Sequence, residues 1–352
     1  MSTYSHVANL PVEIESYELA GLERAIPGFT RRTTVVRLRG SGQEGVGEDV
    51  TYDPTDHETF QQEGPTLPLA GSHTLDGFSQ LLDRLSLWPS GPGLEQFREY
   101  RRWAFESAAL DLALRQAGRS LADALEQEPR PVRFVVSMRL GDPPTVEPVR
   151  RWLGHDPGLR FKLDPTSSWD DALVTELVAT GAVDTLDLKG AYEGTPVDQA
   201  PEPTLYARVG HAFPAAWIED PAITDETRPI LEPHRERITW DAPIHSVADI
   251  TAREWQPRML NIKPSRFGAL RELFAAYDYC ESNGIGMYGG GQFELGPGRG
   301  QIQYLASLFH PDSPNDVAPG VYNMGDARPG LPKSPLEPAP SPTGFRWGKE
   351  GS

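Results

Sequence analysis

At 352 residues, 38% of them hydrophobic, the chain is long enough for one α/β barrel with a smaller domain attached. Its formal charge of −17 disfavours nucleic acid or an anionic membrane as partner, because phosphate surfaces are held by clustered Lys and Arg and the acids here are scattered. Cys280 is the only cysteine, no apolar run approaches the roughly 18 residues of a membrane span, and no signal peptide opens the sequence, so a soluble cytoplasmic protein without an intrachain disulfide is expected.

Residues 1–130 lack a βα rhythm. Thr33–Arg39 alternates, runs into Gly40-Ser41-Gly42 and resumes as Glu44–Tyr52, which predicts two strands of a hairpin or meander. Phe105–Leu114 has helical spacing with Ala108 and Leu112 on one face, and Gly118 is its stop. This region reads as an α+β domain. From residue 131 short apolar strands recur about every 20–30 residues, the span of one βα unit: Phe134–Leu140, Arg160–Asp164, Thr185–Lys189, Ala216–Glu219, Ile238–Asp241, Met259–Lys263 and Ile285–Tyr288. Helical stretches at Val146–Leu153, Asp170–Ala179 and Ala269–Ser282 fill gaps between them. With an eighth strand at Phe293–Leu295, residues 131–330 are expected to close a parallel barrel. The Pro-rich remainder, 331–352, is expected to pack as an extended tail on the surface.

Asp187, Glu219 and Asp241 each close one of these strands, so the acids recur at the same edge of successive βα units, where barrel enzymes keep their chemistry. Three hard oxygen donors converging there suit Mg²⁺. Lys162 on the second strand and Lys263 on the sixth would face each other across the barrel mouth. A lysine near a divalent cation can act as a base, and this arrangement suits proton abstraction next to a carboxylate.

These residues resemble a known family. Tyr288-Gly-Gly-Gly-Gln-Phe-Glu294, Asn261-Ile-Lys263-Pro-Ser-Arg-Phe-Gly268, Trp217-Ile-Glu219-Asp-Pro221 and Ser107-Ala-Ala-Leu-Asp111 follow the order and spacing of the enolase superfamily, nearest its muconate-lactonizing subgroup. The resemblance implies a modified TIM (β/α) barrel with an N-terminal α+β capping domain over its mouth. It also implies Mg²⁺ on Asp187, Glu219 and Asp241, Lys263 as one acid/base residue, and Glu294 beside the pocket.

The sequence departs from that pattern in two places. The subgroup's second strand carries Lys-x-Lys, whereas Lys162-Leu163-Asp164 puts a carboxylate where the base should be. Its third strand reads Asp-x-Asn, whereas here Asp187-Leu188-Lys189 supplies a lysine. A lysine has thus moved to the neighbouring strand, so Lys189 or Lys162 is expected to act opposite Lys263, with Asp164 adjusting its charge. In an alternative register Asp164-Pro-Thr-Ser-Ser-Trp169 resembles the third strand, but that leaves Thr185–Lys189 without a place. Arg31 and Arg32 fall where the family's mobile capping loop lies and are candidates for a second substrate carboxylate. His245 reads as a helix-entry or packing residue and Glu48 as a turn residue.

The expected activity is abstraction of a proton α to a carboxylate, giving an enediolate, followed by racemisation, cycloisomerisation or dehydration of a small carboxylate substrate by a homo-oligomeric isomerase or lyase. The alternative is a catalytically silent member that binds a carboxylate ligand. A metal-dependent barrel hydrolase is disfavoured because no strand end carries His.

Overall fold

The first five strands are β1 (Pro11–Ile14), β2 (Ser16–Ile26), β3 (Phe29–Gly40), β4 (Gln43–Asp49) and β5 (Gly71–Thr74) in the computed structural model, which describes residues 2–26, 29–89, 91–192, 197–324 and 330–348. β2, β3 and β4 form an antiparallel sheet in that order, with Ile26 opposite Phe29 at its tip, and β1 pairs with β5. The alternating Thr33–Arg39 segment lies within β3, as expected. β2 was not expected, since Ser16–Ile26 has no clean period of two.

The helix Phe97–Gln116 packs on this sheet through small residues. Gly45 and Gly47 permit the contact: a Cβ at either would stand 2.2 Å from the Ala108 carbonyl oxygen or 2.0 Å from that of Ala104. Gly118, in the left-handed region at φ +64°, follows the helix end.

Seven parallel strands make the second layer: β6 (Val135–Met138), β7 (Arg160–Leu163), β8 (Val183–Asp187), β9 (Trp217–Glu219), β10 (Ile238–Trp240), β11 (Met259–Ile262) and β12 (Gly286–Gly289). Each pairs with the next in the chain, the sequential order of a βα barrel. All seven expected strands are present within a few residues of their read positions.

The eighth is elsewhere. Phe293–Leu295 is irregular, and the gap between β12 and β6 is closed by Asn315 and Asp316, which bridge to Phe134 and Gly290 respectively. The Val135 amide donates to the Asn315 carbonyl at 2.8 Å and the Asp316 amide to that of Gly289 at 2.8 Å. The carbonyls of residues 292 and 293 instead accept from Arg31 of β3, at 2.8 and 3.2 Å.

The tail is extended, but not merely superficial. Leu336 bridges Val132, Phe345 is buried between Trp103 and Tyr304, and the Arg346 Nε donates to Asp111 at 2.8 Å. Asp111 also accepts from the Val46 and Phe345 amides at 2.9 and 2.7 Å, so one buried carboxylate ties sheet, helix and tail together. Cys280 is a free, buried thiol, pushed up to about 12 by burial, in keeping with an inert core residue.

His310, beside the closing segment, gives the fold a pH signature. Its ring is buried, Nδ1 lies 2.7 Å from Asn315 Oδ1, and burial pushes it down to about 4. The unfolded chain protonates this ring near 6.5, so the stability it contributes is present above that pH and is lost as pH falls toward 4, on the order of 3 kcal/mol. Urea unfolding of wild type and His310→Gln at pH 7 and 4.5 should show the smaller acid loss in the variant. Equal losses would refute this assignment.

Candidate active site

The C-terminal edges of adjacent parallel strands bring the acids together. Asp187 ends β8 and Glu219 ends β9, directly opposite each other in register, and Asp241 follows β10 by one residue. All three are fully buried. Around the closed circuit β7 and β11 have three strand positions between them either way, so Lys162 and Lys263 arise on opposite walls, as expected.

Each carboxylate is met by cations of the chain itself. Lys162 Nζ ion-pairs with Glu219 and reaches Asp187 at 3.2 Å and Asp316 at 3.5 Å. Lys189 Nζ pairs with Asp187 and lies 3.8 Å from Asp164. Lys263 Nζ stands 2.7 Å from Asp241, whose other oxygen accepts from Arg266 Nε at 3.0 Å. Four further residues, to which the sequence assigned no role, join the network. The Tyr288 hydroxyl donates to Glu219, the Tyr192 hydroxyl donates to Asp241 at 2.8 Å, Arg266 pairs with Asp241, and Asp220 accepts from the Asp241 and Ala242 amides at 2.8 Å each. Tyr288, Arg266 and Asp220 fall inside the family motifs, whereas Tyr192 had no signal.

The compact acidic cluster differs from the expected one. Carboxylate oxygens of Asp187, Glu219 and Asp220 lie within 4.8 Å of one another, and Asp241 stands outside that group, drawn to Arg266, Lys263 and Tyr192. Asp220 has a left-handed backbone, φ +47°, and its carboxylate also faces the amides that follow β10.

Charge is crowded here. Burial would raise Asp187, but Lys189 and Lys162 overcome it and hold the carboxyl at about 2. Burial, with Asp187, Asp241 and Asp220 nearby, pushes Glu219 up to about 8 against the pull of Lys162. Burial and the charges of Asp241 and Asp187 likewise raise Asp220 to about 7. Burial is the first cause of both rises and the neighbouring carboxylates the next, so positive charge placed among these oxygens would offset them. Asn261 Oδ1 and Thr185 Oγ1, both buried, find no hydrogen-bond partner among the described residues. An oxygen-only donor set of closely packed buried carboxyls fits a hard divalent cation.

The remaining candidates divide. Asp164 lies at the mouth, its Oδ2 3.3 Å from Arg139 Nε. Glu294 is buried, accepts the Gln292 amide at 2.6 Å and pairs with Arg299 at 3.0 Å. Gly290 keeps this loop close to the site, since a Cβ there would meet Lys263 Cε at 2.7 Å. Arg31 does not present a free charge: it is 1% exposed and donates to the carbonyls of Val50, Thr51, Gln292 and Phe293, fastening the N-terminal sheet to the mouth loop. Arg32 alternates to the other side of β3 and ion-pairs with Glu23 and Glu58. His245 has both ring nitrogens 3.0 Å from carbonyls, of Arg266 and Ala242, which suits its packing role.

Glu48 is more than a turn residue. Fully buried, it accepts the amides of Leu295, Gly296 and Gly298, joining β4 to the loop that enters the last barrel helix. Glu48→Ala should strip three amides of their acceptor and destabilise the protein by about 2–4 kcal/mol. Chemical unfolding measures this, and a loss below about 0.5 kcal/mol would be inconsistent with the contact.

Comparison with known proteins agrees with this geometry. The model of a family described as domain of unknown function DUF8230, C-terminal domain, matches residues 128–324, and its N-terminal counterpart matches 5–124. An N-succinylamino acid racemase of Thermus thermophilus is 27% identical over 320 residues, covering 82% of this chain and 79% of the relative. Among solved structures, the muconate lactonizing enzyme of Pseudomonas putida superposes with a TM-score of 0.66 at 18% identity over 95% of this chain and 96% of that one. A dipeptide epimerase of Methylococcus capsulatus, complexed with Mg ion, does so with a TM-score of 0.63 at 18% identity over 90% and 88%.

Proposed function

Since the chain belongs to the DUF8230 family and is built as an enolase-superfamily capped barrel, we propose that it is a Mg²⁺-dependent enzyme that removes a proton α to a carboxylate. The observation that carries this reading is the placement of Lys263 beyond β11 and of Lys162 on the opposite β7, with Lys189 reaching in beside Lys162 from the end of β8, around one buried carboxylate cluster. Mg²⁺ held by Asp187, Glu219 and Asp241 would supply positive charge where the substrate carboxylate becomes an enediolate. Asp241 is preferred to Asp220 as the third ligand. Asp220 is fixed by two backbone amides, whereas Asp241 is held by side chains that can exchange partners.

Lys263 takes or returns the α-proton on one face, and Lys189, with Lys162 deeper in the barrel, stands on the other. Two-sided placement suits racemisation, and one lysine suffices for cycloisomerisation or dehydration. The 27% identity to an N-succinylamino acid racemase makes N-acylated amino acids the first substrates to try. The test is α-deuterium incorporation from heavy water across a library of N-acylamino acids and small carboxylates. At least one should exchange. A second reading, a silent carboxylate-binding member, draws on the fact that each acid already has a chain cation beside it. Metal binding without exchange of any library member would favour it.

A further inference from the structure

Lys189 is where this chain departs most from the pattern it otherwise follows. It sits two residues beyond Asp187 in the left-handed region, φ +55°, a conformation that is strained for a residue with a Cβ. Its Nζ pairs with Asp187 Oδ2, the same oxygen that Lys162 reaches at 3.2 Å. Asp187 thus carries two ammoniums, and they are not equivalent. Lys162 is 1% exposed and anchored by Glu219 and Asp316 as well. Lys189 has a second acceptor within reach: Asp164 Oδ1, 3.8 Å away, is buried and meets no hydrogen-bond partner among the described residues.

Resting on the metal centre proposed above, we propose that Lys189 is a tethered ammonium that competes with the divalent cation for Asp187, and that Asp164 receives this ammonium when the cation binds. Two cations cannot share one carboxylate oxygen cheaply inside a barrel, so the weaker-held one yields. Asp164, standing where the resemblance places a base, is then the acceptor that keeps Lys189 charged and on the substrate side instead of buried without a partner. The lysine and the carboxylate are a matched exchange between neighbouring strands, and together they set how tightly the metal is held.

Mn²⁺ binding, counted from the free-ion electron paramagnetic resonance signal, tests this without a substrate. Lys189→Met keeps the stem and removes the charge, so it should bind Mn²⁺ about tenfold more tightly than wild type or better, while Lys189→Arg should stay near wild type. Asp164→Asn should weaken binding by about the same factor, because the displaced ammonium has nowhere to go. Circular dichroism establishes that each variant is folded, and should Lys189→Met fail to fold, Asp164→Asn decides alone. Unchanged affinity in folded Lys189→Met, or in Asp164→Asn, overturns the competition while leaving the metal centre standing. Folded wild type and Lys189→Met that both ignore Mn²⁺ would instead sink the metal centre and the competition with it.

Discussion

Lys263→Ala is expected to lower α-proton exchange by about 10²–10⁴-fold, the range over which a positioned acid or base contributes. Lys263 follows β11 by one residue, is 6% exposed, and its ammonium lies 2.7 Å from Asp241 on the wall opposite β7. The substitution leaves Asp241 with Arg266 and Tyr192, so the protein should fold and bind metal while the chemistry fails. Deuterium exchange under saturating substrate measures this, with Mn²⁺ binding as the control. Exchange at the wild-type rate in Lys263→Ala would remove the two-sided mechanism.

The second large effect is on Asp187. Asp187→Ala takes away a metal ligand and also the carboxylate shared by the buried Lys162 and the half-buried Lys189, leaving them Glu219, Asp316 and Asp164. Breaking a buried pair from one side costs about 3–5 kcal/mol, so thermal unfolding should shift downward markedly even with no metal added. Metal binding should fall below detection in the same variant. The double variant Asp187→Ala with Lys189→Met should recover part of the stability but none of the metal binding. Full stability in the single variant would mean that the lysines are not held there.

What was legible in the sequence is what has a period or a motif. Seven strands announced themselves as short apolar runs at βα spacing, and the acids at their ends followed because strand order alone carries Asp187, Glu219 and Asp241 to one edge. The eighth position was not legible, because Asn315 and Asp316 close the barrel with a pair of bridges and two residues have no alternation to read. Arg31 was misjudged for a related reason. Its acceptors are four backbone carbonyls, and carbonyls carry no sequence signature. Asp220 shows the converse: an acid visible inside the Trp217–Pro221 motif whose bonds to the Asp241 and Ala242 amides needed coordinates. The lysine and carboxylate interchange on the second and third strands was visible as a departure from a family pattern. That Lys189 reaches back to Asp187 and Asp164 together needed coordinates.

The coupling of metal to proton abstraction is tested most directly by one experiment: α-deuterium incorporation into an exchanging N-acylamino acid or other small carboxylate, followed by mass spectrometry in the presence of Mg²⁺, after removal of the metal by chelator, and after its return. Exchange that requires Mg²⁺, disappears with the chelator and recovers on readdition is the predicted result. Exchange undiminished in the metal-free protein would contradict the account.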